Sequence, residues 1–270
     1  MSLTLRQAPP AEGLTWVRSA FALYARRPLG FSAMFVAFLL AVLLATVIPL
    51  AGPVLMLMSL PLLGLGFMIA ARGARQGGAV RPGQFAEPLR APAARRNPLL
   101  LLCGLYALGT ALIMLASDWV DGGTFEQLQV LMAKGEDAQA EVDALLADPR
   151  LAHGMLVRFG LAALLSVPFW QAPPLVYWQG QGVAQALFSS TLALWRCKGA
   201  FAVYALAWFA VIVVFAAIAA LLFSLLGARQ LAGVVAMPAA LVFSTVFYVS
   251  LLFTYEGCFS EGDASSLPAA

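Results

Sequence analysis

Few residues of this chain could do chemistry, and their spacing excludes most reactions. The single histidine, His153, has no partner at metal-ligand or proton-relay spacing and reads as an interfacial polar group. Cys103, Cys197 and Cys258 form no CxxC pair and none lies in the hydrophilic loop assigned to the outside, so neither a disulfide nor a zinc site is expected. The HExxH, GxSxG and Walker A patterns are absent, and no Ser/His/Asp set can be assembled around His153. Glu256, in "TYEGCF" beside Tyr255 and Cys258, is a lone carboxylate at a helix end. The apolar runs carry no ionisable residue at their centres, which argues against ion-coupled transport. The expectation is a protein that is not an enzyme and holds no metal or other cofactor.

What remains is one polar group at depth. In "LLSVPFWQAPPLVYW", Pro168, Pro173 and Pro174 release the carbonyls of Leu164, Phe169 and Trp170 from their helical bonds. In hydrocarbon those oxygens need donors, and Gln171, Ser166 and Trp170 are the nearest candidates. A kinked structural helix is the first reading; a solute-binding site of the kind transporters build at broken helices is the second. Arg158 lies about four residues inside the outer end of the same run, shallow enough to snorkel or to pair with Asp118 or Asp121.

Such residues must be positioned by helices in a bilayer. Of 270 residues, 62% are hydrophobic and 11% charged, where a soluble domain has about 45–50% and 25%, and the mean hydropathy is +0.87. Runs of about 20 apolar residues, enough to cross a bilayer, are expected at about 29–49, 53–72, 98–117, 154–178, 200–226 and 231–255. The fold expected is an all-α integral membrane protein, one domain over residues 1–270, with six transmembrane helices arranged as three hairpins. A re-entrant fourth run is the alternative. The first run reads as a retained span rather than a cleaved signal.

Twelve of the sixteen Lys and Arg residues fall before the first run, between the second and third, or before the fifth. The positive-inside rule makes that side cytoplasmic, with both termini, and places the acidic loop 118–153 outside. Within that loop, Phe125, Leu128, Leu131 and Met132, then Val142, Leu145 and Leu146, recur at helical spacing around "KGED", so two short amphipathic helices are expected to cap the bundle.

Interfacial amphipathic helices are expected on the cytoplasmic side at about 12–27 and 182–198. In "WVRSAFALYARRPLG", Trp16, Val17, Ala20, Phe21 and Tyr24 share an arc opposite Arg18, Ser19 and Arg26, the pattern of a helix lying in the membrane plane. "VAQALFSSTLALWRCKG" repeats it: a shift of 171 positions pairs Ser19 with Ser190, Ala22 with Ala193, Tyr24 with Trp195 and Arg27 with Lys198. "ARRNPLLL", at Ala94 to Leu102, is a weaker third copy whose preceding helix is spoiled by Pro82, Pro88 and Pro92. Three units, each a hairpin whose returning helix holds Pro61, Pro168 or Pro238, follow as the working architecture. Arg18, Arg26, Arg27, Arg95, Arg96, Arg196 and Lys198 are the expected contacts to anionic lipid. Ala33, Ala37, Ala41 and Ala45, Gly64 and Gly66, and Ala216 and Ala220 are expected to seat neighbouring helices.

The stretch from Trp16 through "FSAMFVAFLLAVLLATVIPLAGPVL", with the "LPLLGLGFMIAARGARQGGAVRPGQFAEPLR" that follows, resembles a family of uncharacterised, proteobacterial-type inner-membrane proteins known only as hypothetical transmembrane proteins. The likeness covers most of the chain, is strongest over residues 14–90, and implies location and architecture but no catalytic residues. The leading expectation is therefore a non-enzymatic membrane component engaging lipids, a protein partner or a second copy, with no role for nucleic acid. A small-solute channel or facilitator using the broken fourth span is the alternative, and a lipid-handling groove near the prolines a third.

Overall fold

The computed structural model describes residues 3–49, 51–134, 139–225 and 231–261; Glu136 and Asp137 of the acidic loop lie outside them. The chain runs β1 (Leu3–Leu5), α1 (Glu12–Arg26), α2 (Pro28–Thr46), α3 (Ala51–Arg75), two short 3-10 turns (Pro82–Ala86 and Pro88–Arg90) and α4 (Ala93–Asp121). It continues with α5 (Thr124–Lys134), α6 (Gln139–Leu146), α7 (Pro149–Phe169), α8 (Ala172–Gln179), α9 (Val183–Arg196), α10 (Lys198–Leu225), α11 (Leu231–Cys258) and β2 (Phe259–Glu261). Six helical stretches are long and apolar enough to cross a membrane: α2, α3, α4, α7 with α8, α10 and α11. The protein is an all-α integral membrane bundle. The third and fourth crossings reach past the expected 98–117 and 154–178 at both ends, to Ala93–Asp121 and Pro149–Gln179, because helix continues beyond the apolar runs into polar residues.

The centre is built by α3, α4, α8 and α11. Phe67 of α3 stacks on Tyr248 of α11 with ring centroids 5.5 Å apart, and Phe35 of α2 meets both. Across the bundle, Trp170 stands edge-on to Phe201, Tyr204 and Phe247. On the acidic side α4 lies along α7, and Arg158 of α7 bonds to Ser117 Oγ (2.9 Å) and Asp118 Oδ1 (2.6 Å) on α4 beneath the Phe125 ring of α5. The two cap helices are present. Leu128, Val142 and Leu151 form their small core over this end.

The two amphipathic helices meet their surroundings differently. α1 packs against α10 and α11 more extensively than those two touch each other, so it is a wedge between them. Its Trp16 is 4% exposed, edge-on to Phe201 and Tyr204, and Val17, Ala20 and Leu23 are buried with it. Gly257 permits this: a Cβ there would lie 2.6 Å from the Trp16 indole. The apolar arc of α1 is thus packed on α10 and α11. α9 does the opposite. It buries the small face Ala186, Ser190, Ala193 and Cys197, and leaves Phe188 and Trp195 (71% exposed) outward.

The segment 82–90 supplies no helix before the second hairpin, yet its 3-10 turns dock on α3, where Phe85 sits against Gly66. Each unit's leading segment therefore packs on the hairpin before it: the turns on α2 and α3, α9 on α7 and α8, and α1 on α10 and α11. β1 pairs antiparallel with β2, from Leu3 opposite Glu261 to Leu5 opposite Phe259, so the two chain ends meet beside the wedge.

α2 and α10 are the outlying spans. α2 buries only Phe31 and Met34, and α10 only Ala200, Tyr204 and Trp208. The stripe Ala33, Ala37, Ala41 and Ala45, and the pair Ala216 and Ala220, are exposed or half-buried, although the Ala45 carbonyl abuts Gly52 of α3. The larger side chains Phe31, Met34, Phe35 and Phe38 win the contact because they reach the aromatic core. Gly64 and Gly66, in contrast, meet Leu251 and Phe85.

The opposite exposures of two tryptophans, one in each amphipathic helix, give a direct check. Trp16→Ala removes a buried ring and should destabilise the protein by about 3–5 kcal/mol, whereas Trp195→Ala should stay within about 0.5 kcal/mol. Thermal unfolding of both variants in the same detergent measures the difference; equal melting temperatures would contradict the wedge.

Candidate functional site: the broken fourth span

The fourth crossing breaks where the prolines dictate. α7 ends at Phe169 and α8 begins at Ala172 with Pro173 and Pro174 in its first turn, where a missing N–H costs nothing. Gln171 caps α8 with its backbone near φ −110° and ψ −4°, outside the helical ladder of α7. One hydroxyl splices the gap. Ser190 Oγ of α9 accepts the Gln171 N–H at 3.0 Å and donates to the Val167 carbonyl at 3.1 Å. Inside a membrane an unmet backbone group costs several kcal/mol, so this side chain does what solvent does in a soluble loop.

Gln171 itself is fully buried. Its Nε2 donates to Thr254 Oγ1 at 2.9 Å, and Trp170 Nε1 donates to the same oxygen at 3.3 Å. Thr254 Oγ1 in turn donates to the Leu251 carbonyl, one turn back in α11, at 2.8 Å. The break is thereby tied to α9 through Ser190 and to α11 through Thr254. Gln171 Oε1 is buried with no partner among the described residues.

Of the four candidate residues of the fourth run, the structure brings Gln171 and Trp170 together on Thr254. Ser166 returns its hydroxyl to Ala163 of its own helix at 2.7 Å, and Arg158 stays with Asp118 at the acidic end. Ser166 and Gln171, expected to serve the freed carbonyls, are thus engaged elsewhere. Ser190 and Thr254 were not singled out for this role. The signal for Ser190 was its place in the small-residue face of α9, which marks close helix approach; Thr254 carries no comparable signal.

Beside the break lies a cavity of about 190 Å³. Pro61 and Gly64 of α3, Tyr106 of α4, Ser166 and Trp170 of the break, and Tyr248 of α11 line it; Gln171 sits behind this wall. Two larger clefts flank α11. One of about 730 Å³ runs between α2 and α11 past Phe35, Leu39, Met237, Pro238, Leu241 and Ser244. The other, about 350 Å³, runs between α10 and α11 past Trp208, Ile212 and Phe243, again reaching Ser244.

The expected lipid contacts divide by partner. Arg27 donates to the Gly77 and Gly78 carbonyls, and Arg95 to that of Tyr177, so both also fasten the chain. Arg18, Arg26, Arg96 and Arg196 are exposed, as is Lys198, whose ammonium lies 5.1 Å from the Trp195 ring centre. Between them on the same end, Arg72 covers the Trp178 ring and Arg75 pairs with Glu256. Among the described residues no group of three or more His, Cys, Asp or Glu side chains is placed to hold a metal.

Removing the splice should cost more than removing its neighbour. Ser190→Ala strands a buried N–H and a buried carbonyl, each worth about 1–3 kcal/mol, while Ser166→Ala deletes a bond that its own helix replaces. The expected order of melting temperatures is wild type, then Ser166→Ala close behind, then Ser190→Ala well below; a Ser190→Ala protein as stable as wild type would remove the splice from the account.

No protein-family model and no solved structure matches the chain. Over 270 residues, covering 98% of each chain, it is 36% identical to a probable inner membrane protein of Burkholderia thailandensis. With six apolar crossings and likeness along its whole length, the chain belongs to that family of bacterial inner-membrane proteins.

Proposed function

We propose that this protein is a non-enzymatic component of the inner membrane that holds lipid in the clefts beside α11, with its arginine-rich end toward the cytoplasm. The observation that carries the reading is the cleft of about 730 Å³ between α2 and α11, which is lined almost wholly by apolar side chains and which no described segment fills. It lies along membrane-spanning lengths of both helices. The medium that meets it there is hydrocarbon, so acyl chains are its natural occupants. The exposed cations Arg18, Arg26, Arg96, Arg196 and Lys198 supply the matching attraction for anionic headgroups at one surface.

A solute pathway through the broken span draws no support from this geometry. Gln171 is fully buried behind Trp170, and its donor group is committed to Thr254. The polar groups at the break serve the backbone and one another.

Protein purified in mild detergent should retain phospholipid at a reproducible ratio in native mass spectrometry. Met237→Trp together with Leu241→Trp, filling the α2/α11 cleft, should lower that ratio while the protein still elutes as a folded species. Recovery of wild type as a lipid-free monomer, or identical lipid content in the filled variant, argues against the cleft; a stoichiometric dimer that the tryptophans dissociate would make a second copy the occupant instead.

Orientation is tested separately. In cells, a cysteine at Gln129 in α5 should react with a membrane-impermeant maleimide, and one at Gly83 between α3 and α4 only after permeabilisation, with the native cysteines replaced by serine. The reverse pattern would invert the bundle.

A further inference from the structure

The four spans α2, α3, α10 and α11 pack closely over only half of their length, and the closed half is the same in each. α2 buries Phe31 and Met34, then nothing from Phe35 to Thr46. α3 buries Gly52 alone before Pro61, and a dense series from Pro61 to Ala71. α10 buries Ala200, Tyr204 and Trp208 and no described residue beyond. α11 buries none of residues 234–244, then Thr245, Val246 and most positions through Cys258. Because α2 and α10 leave the arginine-rich end and α3 and α11 return to it, the closed half adjoins that end and the open half adjoins the acidic cap.

Aromatic side chains set the boundary. Phe35, Phe67 and Tyr248 tie α2, α3 and α11 together with ring centroids 5.5–6.2 Å apart. Between α10 and α11 the α1 wedge fills the angle, with Phe21 5.7 Å from the Trp208 ring. Past these rings no charged pair draws the spans together: residues 36–49, 51–60, 211–225 and 234–244 contain no Asp, Glu, Lys or Arg. The α2/α11 cleft follows from this splay. Its α11 wall runs from Val234 to Ser244, ten residues or about 15 Å of helix, which is half of a hydrocarbon core about 30 Å thick. The α10/α11 cleft likewise starts at Trp208 and Phe247, where the wedge stops.

We infer that the α2/α11 cleft takes phospholipid from the leaflet on the acidic side, with the acyl-chain tip on the aromatic floor and the headgroup at the rim far from the arginines. This assignment rests on lipid filling the clefts beside α11, and adds which leaflet supplies it and what selects it. A chain coming from the arginine-rich end meets the Phe35–Phe67–Tyr248 cluster, and in the neighbouring cleft the α1 wedge. From the acidic side it meets exposed aliphatic wall at Leu39, Val234 and Met237. The described rim carries no ionisable side chain, so the fit of one leaflet's depth of chain decides occupancy and headgroup charge does not. The exposed arginines act on headgroups of the opposite leaflet.

The test uses the full-length protein in vesicles containing a trace of phosphatidylcholine with a diazirine either beside the glycerol ester or at the tip of one acyl chain. After illumination, peptide mapping should place ester-side adducts near Val234 and Met237, and chain-tip adducts near Phe35, Leu39 and Ser244. Met237→Trp with Leu241→Trp should abolish both sets, and carrying the diazirine on phosphatidylglycerol instead should leave their yield unchanged. The reverse order of adducts, or a yield that rises with the anionic headgroup, would assign the lipid to the leaflet at the arginine-rich end and overturn the orientation while leaving lipid in the cleft. Adducts scattered evenly along both helices would reduce the cleft to ordinary annular contact and overturn it too. Absence of adducts from both segments would remove the lipid reading as well, and isolation as a dimer would then name a second copy as the occupant. The wild-type map decides among these outcomes even where the tryptophan variant fails to fold.

Discussion

Hydrocarbon gives a backbone no alternative hydrogen-bond partner, and the fourth crossing shows what satisfying that constraint requires. Its helix stops at Phe169 and restarts at Ala172, and the interruption exists only because Ser190 receives the Gln171 N–H and supplies the Val167 carbonyl. That single contact fixes α9 against α7 and α8. The same break turns Trp170 and Gln171 toward Thr254, which locks α8 to α11. The polar side chains at mid-depth are consequences of a backbone problem before they are anything else.

Once α9 is placed, the rest of the arrangement has a cyclic logic. The 3-10 turns lean on α2 and α3, α9 leans on α7 and α8, and α1 closes the sequence by wedging between α10 and α11. Closure explains why β1 and β2, from opposite ends of the chain, form its one described sheet, and why Trp16 needs a glycine at position 257. The proline-rich leader of the second hairpin fills its place without a helix because one aromatic side chain, Phe85, makes the contact on Gly66.

Much of this was legible beforehand, for identifiable reasons. The six crossings follow from run length and hydropathy, and the cap helices from spacing, since both are one-dimensional properties. The Arg158 partner was readable because depth and the nearest carboxylates leave few choices. What a helical wheel cannot decide is which arc of an amphipathic helix meets protein and which meets lipid, because both reward apolar side chains. Hence α1 and α9, aligned at a shift of 171 residues, bury opposite faces: Trp16, Val17 and Ala20 in one, Ser190 and Ala193 in the other. The alanine stripe of α2 stays exposed or half-buried for a related reason. Small residues allow close approach but do not compel it, and the aromatic side chains beside them reach the core first.

The wedge also bears on the clefts. A helix inserted between α10 and α11 at one end of the membrane keeps those spans from packing along their length, and α10 accordingly buries nothing beyond Trp208 among its described residues. The cleft past Trp208, Ile212 and Phe243 begins where the wedge stops, with Phe21 of α1 lying 5.7 Å from the Trp208 ring. A cavity left by poor packing would collapse or cost stability in water. In a bilayer the same opening faces acyl chains, so on the proposed reading a helix that holds two spans apart would maintain a lipid-filled seam without any dedicated ligand residue. That is why a chain with so few reactive groups can still have a defined interior surface facing its solvent.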